Sequence, residues 1–121
     1  MGDSILRVSL ITPTYNESEN IPLLAEEIFQ IIAGEPDIDL ELIVVDDNSP
    51  DGTGEIAEAL IGKYPLKVIH RPGKLGLGSA VMEGFALADR PYLGVIDADL
   101  SHDPSILPRL IKGLREHDIT I

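Results

Sequence analysis

An apolar run in YLGVIDADLSHDP (92–104) stops at Asp97, and Asp99 and Asp103 follow within a few residues. In extended backbone, residues i and i+2 point to the same side. Asp97 and Asp99, separated by Ala98, can then reach one point in space. Two carboxylates that close repel each other unless a proton or a cation lies between them. Their hard oxygens suit Mg2+ or Mn2+, which take one or two carboxylates and complete their shell with water and phosphate oxygens. The alternative needs no metal: a strand-end Asp followed by a loop-capping Asp. Asp103 suits the cap of a following helix, and His102 reads as a loop histidine.

Three other clusters carry polar chemistry. VVDDNSPDG (44–52) ends an apolar run at Asp46, with Asp47 beside it. A carboxylate there can accept hydrogen bonds from a nucleobase edge or a ribose hydroxyl. It can equally hold a turn, since Asn48, Ser49, Pro50, Asp51 and Gly52 are all turn formers. TPTYNES (12–18) offers the flat face of Tyr15 for stacking and the polar groups of Asn16 and Glu17, with Pro13 fixing the chain's exit. HRPGKLGLGSA (70–80) combines Arg71 and Lys74 with Gly73, Gly76 and Gly78 ahead of a helix, where exposed amides favour anions. It matches neither the dinucleotide fingerprint nor the Lys-Ser/Thr phosphate loop.

The elements that must position these clusters follow from periodicity. RVSLIT (7–12), LELIVVD (40–46), LKVIH (66–70) and YLGVID (92–97) read as strands. Ile21, Leu24, Ala25, Ile28, Ile31 and Ile32 trace one face of a helix over 21–33, with Asn20 as its cap and Pro22 in its first turn. A second helix spans 53–63 with Ile56, Ala57, Leu60 and Ile61 inward. A third spans 77–88 with Leu77, Ala80, Val81, Gly84, Leu87 and Ala88 as its stripe. A fourth, capped by Ser105 with Pro108 as its third residue, turns Ile106, Leu107, Leu110, Ile111 and Leu114 toward the sheet. Strict alternation predicts an α/β fold, a mostly parallel sheet with helices on both faces and right-handed crossovers. Ligands in such sheets bind beyond the strands' carboxyl ends, and every polar cluster falls there.

The 121 residues suit one domain with a real core. Apolar residues make up 44% and aromatics 4%, so that core is aliphatic. A formal net charge of −12 repels nucleic acid and anionic lipid. An anionic small ligand would need a metal or a local basic group. The absence of cysteine rules out disulfides and zinc–thiolate sites and fits a reducing compartment. No apolar stretch approaches the roughly 20 residues of a membrane helix. HDITI (117–121) starts like a fifth strand, which suggests a fragment of a longer protein, and an exposed sheet edge suits pairing with a second copy.

LITPTYNE, ELIVVDDNSPDGT, KLGLGSA and IDADLSHDP, in this order and spacing, resemble the family 2 glycosyltransferases. The nearest likeness is to the dolichol- and polyprenol-phosphate mannose synthases. The resemblance runs from about Val8 to Leu114. It implies a Rossmann-like GT-A fold, with residues 1–121 as the nucleotide-sugar-binding part of a domain truncated at its carboxyl end. It also implies a nucleotide pocket lined by Pro13, Tyr15, Asn16 and Glu17, with Asp46 on the base, Asp47 beside it and Lys74 near the diphosphate. Asp97, Ala98 and Asp99 match the motif for the divalent ion and nucleotide sugar. Ser101 stands where some members carry a Gln that joins the metal, which puts a third side-chain ligand in doubt.

The implied reaction moves mannose from GDP-mannose to a polyprenyl phosphate with inversion, helped by Mg2+ or Mn2+. The implied location is the cytoplasm, peripheral at the cytoplasmic membrane face. Related transferases use UDP-glucose or other donors, and a non-catalytic nucleotide-binding module is a further alternative. A receiver-like signalling domain would place acidic residues after strands 1 and 3. Here TYNE and HRPG stand there instead.

Overall fold

A computed structural model describes residues 5–101 and 103–117, except for the side chains of 114–117. Four strands, β1 (Leu6–Thr14), β2 (Ile38–Asp46), β3 (Leu66–His70) and β4 (Tyr92–Val95), form one sheet in the order β3-β2-β1-β4. All neighbouring strands are parallel. The helices between and after them are α1 (Asn20–Ala33), α2 (Thr53–Ala59), α3 (Leu77–Leu87) and α4 (Leu107–His117).

Alternate residues of the two central strands serve two cores. On one face Val8, Leu10, Leu40, Leu42 and Val44 pack with Ile21, Leu24, Ala25 and Ile28 of α1, Ala57 of α2, and Leu107 and Ile111 of α4. On the other, Ile11, Ile43 and Val45 meet Ala80 of α3. The chain steps one way through β1, β2 and β3, then crosses back over both central strands to β4. Right-handed crossovers put α3 opposite α1 and α2 for that reason. The expected α/β fold with helices on both faces is what forms.

Several local expectations shift. Glu19, not Asn20, precedes α1 and makes no side-chain cap; Asn20 is the first helical residue. The second helix stops at Ala59, and Ile61 is exposed. Leu77, Leu87, Ile106 and Leu110 also face outward, although periodicity placed them inward. β4 ends at Val95 rather than Asp97. Ser105 is not the cap of the last helical segment; the other expected cap, Asp103, is. Its Oδ1 accepts from the Ser105 amide at 3.0 Å and opens a 3-10 turn, Pro104–Ile106, ahead of α4. That bond draws the Asp103 carboxyl below its usual range. Residues 118–121 of the expected fifth strand, and His102, lie outside the described residues.

α3 leaves the amino ends of the strands on its face to a polar belt. Glu41, only 4% exposed, accepts from Ser9 Oγ at 2.5 Å and pairs with Lys67 Nζ at 3.1 Å. Arg90 pairs with Asp39 at 2.8 Å and donates to its backbone carbonyl at 2.9 Å. Its guanidinium holds the Asp39 carboxyl below the ordinary value.

Two positions test this packing. A Cβ on Gly84 would lie 2.7 Å from Ile11 Cγ2, so α3 sits on β1 at a distance only glycine permits. Thr12 Oγ1 is buried with no hydrogen-bond partner among the described residues. Gly84→Ala should lower stability by about 1–3 kcal/mol, the usual cost of overpacking. Thr12→Val, which keeps the shape and removes a stranded hydroxyl, should be neutral or stabilising. Urea unfolding midpoints of the two variants should move in these different ways.

Candidate functional site

The site is built where β1 and β4 part. The β1–β4 ladder ends with Ile11 opposite Val95, and Ile96 N donates to the Ile11 carbonyl at 2.9 Å. In a parallel ladder a residue's amide and carbonyl face the same neighbour, and residue i+2 repeats that direction. Pro13 therefore turns its donor-less nitrogen toward the side where β4 has left off. A proline sits in a central strand here without losing a rung. The chain order reverses at this same place, where open α/β sheets bind ligands.

A cleft of about 140 Å3 opens beside it, walled by Pro13, Thr14, Tyr15, Asp47, Lys74 and Gly76 at the start of α3. Lys74 Nζ stands 4.7 Å from the centroid of the Tyr15 ring, a cation–π distance. Gly76 caps α3 at φ +104, where a side chain would be strained. Pro13, Tyr15, Asp47 and Lys74, expected from separate loops, thus line one cleft.

Side chains of the second loop hold the amides of the first. Asn16 N donates to Ser49 Oγ at 2.9 Å, Glu17 N to Thr53 Oγ1 at 2.9 Å, and Ser18 N to Asp51 Oδ2 at 3.1 Å. Asp51 Oδ1 in turn accepts from Thr53 N at 3.0 Å and from the Thr53 hydroxyl. These bonds draw the Asp51 carboxyl down to about 2, the Thr53 hydroxyl contributing most. Asn16 itself adopts a left-handed φ of +57. Glu17 Oε1 accepts from Asn20 Nδ2 at 3.0 Å, and its carbonyl accepts the first amides of α1. Both residues frame the loop that presents Tyr15, and neither is in the cleft wall.

Asp46 and Asp47 divide two tasks. Asp46, 2% exposed, accepts from Thr14 Oγ1 at 2.8 Å and from Ser49 N and Oγ at 3.0 and 2.5 Å. The turn-holding reading of this residue is the one that the geometry supports. Asp47 reaches the cleft wall and is gripped by Arg71 Nε at 2.6 Å.

Asp97 and Asp99 stand on the same edge, past β4. Ile96 and Ala98 are buried and the two carboxylates are exposed, so the inside–outside alternation expected of them is present. The backbone is not extended throughout. It turns at 98–99, Leu100 takes a left-handed φ of +63, and Asp99 Oδ1 accepts from Ser101 N at 3.0 Å. Among the described residues no group of three or more His, Cys, Asp or Glu gathers as a cation cage.

Sequence reasoning missed the staple of Ser49, Asp51 and Thr53 and the weight on Arg71. The first was visible only as turn composition. The second needed the β2–β3 register, Asp46 opposite His70, which puts Asp47 beside Arg71.

The sheet is parallel, reverses at its first strand and carries an aromatic ring, a basic side chain and two exposed carboxylates on its carboxyl edge, and its structural neighbours share the GT-A glycosyltransferase fold. The family model of glycosyl transferase family 2 matches residues 9–121, and the chain belongs to that family. It is 45% identical over 117 residues to a dolichol-phosphate mannosyltransferase of Pyrococcus furiosus, covering 96% of this chain and 32% of that protein. It is 42% identical over 120 residues to an undecaprenyl-phosphate mannosyltransferase of Micrococcus luteus, covering 96% and 47%. The structure of a mannosyltransferase from Pyrobaculum calidifontis in complex with GDP-Man and Mn2+ superposes with a TM-score of 0.69. It is 28% identical, over 91% of this chain and 32% of that one. The chain therefore spans about a third to a half of these relatives.

The staple has a pH signature. The Asp51 carboxyl titrates at about 2 in the folded chain, against about 3.9 unfolded. Its contribution is complete above the unfolded value and disappears as pH falls through the folded one. Asp51→Asn should therefore melt below the parent at neutral pH, and the gap should close toward pH ~2. Thermal melts across that range will show whether the two curves converge.

Proposed function

We propose that residues 1–121 are the nucleotide-sugar-binding part of a transferase that moves mannose from GDP-mannose to a polyprenyl phosphate with inversion. The observation that carries this reading is the cleft itself. Tyr15 offers a ring for the nucleoside, Asp47 marks its polar end, and Lys74 supplies positive charge in a chain of net −12. The names of the mannosyltransferase relatives and the GDP-Man in the Pyrobaculum complex support the choice of donor.

Asp97 and Asp99 are the residues that would hold the cation. Two exposed carboxylates suit Mg2+ or Mn2+ when phosphate oxygens and water complete the shell. The Mn2+ in the Pyrobaculum complex supports such an ion without selecting between the two. Ser101, whose amide bonds Asp99, is an accessory ligand at most. When bound, the cation supplies Lewis-acid stabilisation of the departing diphosphate. Lys74 adds charge neutralisation on the same group. The acceptor, a phosphate monoester with a second pKa near ~6, arrives already anionic, so no protein base is assigned. A lipid acceptor would bring the full-length enzyme to a membrane, in keeping with the expected peripheral position at its cytoplasmic face. No helix among the described residues is long and apolar enough to cross one.

In the full-length enzyme, Asp99→Ala should cut transfer by about a hundredfold or more while the circular dichroism spectrum is preserved. Normal turnover by that variant with metal present would refute the cation assignment. Isothermal titration of this chain with GDP and with UDP, each with Mn2+, should give the tighter binding to GDP. Preference for UDP would change the donor, and binding of neither would remove the nucleotide reading.

A further inference from the structure

Arg71 follows β3 directly, and its amide extends the ladder by donating to the Asp46 carbonyl at 2.8 Å. The residue is 3% exposed. Its guanidinium makes four contacts. Nε donates to Asp47 Oδ1 at 2.6 Å, Nη2 to Asp47 Oδ2 at 3.2 Å and to the Gly76 carbonyl at 3.0 Å, and Nη1 to Glu83 Oε1 at 3.4 Å. Asp47 Oδ2 also accepts from Leu75 N at 3.2 Å. The segment 72–76 is thus tied at Leu75 and Gly76 to one buried ion pair. Lys74, which immediately precedes these two ties, reaches over Tyr15.

A buried ion pair is weak evidence for stability, because an apolar pair of similar volume often does as well. What this one provides is geometry. A planar fork can grip both oxygens of a carboxylate and still reach a carbonyl, and an ammonium cannot. We propose that Arg71 is a positioning residue of the cleft: through Asp47 and the Gly76 carbonyl it sets the loop that presents Lys74 over Tyr15, where a nucleoside diphosphate's phosphates would meet it. The identity of that ligand rests on the reading given under Proposed function; the loop geometry does not.

The test has two arms on the 121-residue chain. The first needs no ligand. The Lys74 ε-methylene protons, on the carbon bonded to the Nζ that stands over the Tyr15 ring, should resonate upfield of a solvent-exposed lysine. In Arg71→Lys, which keeps the charge but not the fork, they should move to the solvent position while the core methyl resonances stay in place. Asp47→Asn, which weakens the pair from its other side, should shift them the same way and serves if Arg71→Lys does not fold. An unmoved Lys74 signal in a folded variant overturns the proposal.

The second arm is a double-mutant cycle on GDP binding with Mn2+. Lys74→Ala should weaken binding about tenfold in the parent and less than about twofold in the Arg71→Lys background. Equal losses in both backgrounds overturn the proposal. If the parent binds neither GDP nor UDP, the nucleotide reading fails by itself, and the Lys74 resonances still decide whether Arg71 sets the loop.

Discussion

The handedness of the crossovers is the constraint from which the site follows. Three parallel strands laid down in one direction put α1 and α2 on the same face. The return to β4 can stay right-handed only by sending α3 over the other face. β1 thereby becomes the strand at which the chain order reverses. Helices then flank the crevice on either side, and the loops after β1, β2, β3 and β4 meet at one edge. Pro13 belongs to the same logic, since its missing donor faces the gap where β4 has diverged.

At that edge, order is imposed by side chains on backbone. The loop after β2 uses Ser49, Asp51 and Thr53 to occupy three successive amides of the loop after β1. The loop after β3 is occupied by Asp47 and Arg71 in a similar way. All three non-glycine residues with positive φ among those described, Asn16, Asn48 and Leu100, stand in these edge loops. Asparagine tolerates that conformation, but leucine does so at a cost of about 1–2 kcal/mol. Local backbone strain of this kind persists where the surroundings over-determine it, and it concentrates at functional sites.

The strand and helix order, the two-faced sheet and the edge carrying the chemistry were legible because each rests on periodicity or on a rule of chain connection. The outward exposure of Asp97 and Asp99 was legible because the buried Ile96 and Ala98 alternate with them. Other features depend on distance between segments, which a sequence does not encode locally. Leu77, Leu87, Ile106 and Leu110 fit a helical stripe, yet they are exposed among the described residues. Asp46 and Asp47 are adjacent and chemically identical, and only the register of β2 against β3 separates the turn-holder from the cleft-lining partner of Arg71. Asp103 was legible as a cap, but Ser105 was misplaced because a 3-10 turn precedes the α-helix, a boundary that composition alone leaves open.

The two ends of the sheet are kept chemically separate. The belt of Ser9, Glu41, Lys67 and Arg90 lies on the amino-terminal side of the sheet, away from the carboxyl edge. Protein engineering can use that separation. Thermal tolerance can be tuned by exchanging the belt for aliphatic packing, and the loops at the opposite rim can be varied separately, as two largely independent optimisations on one scaffold.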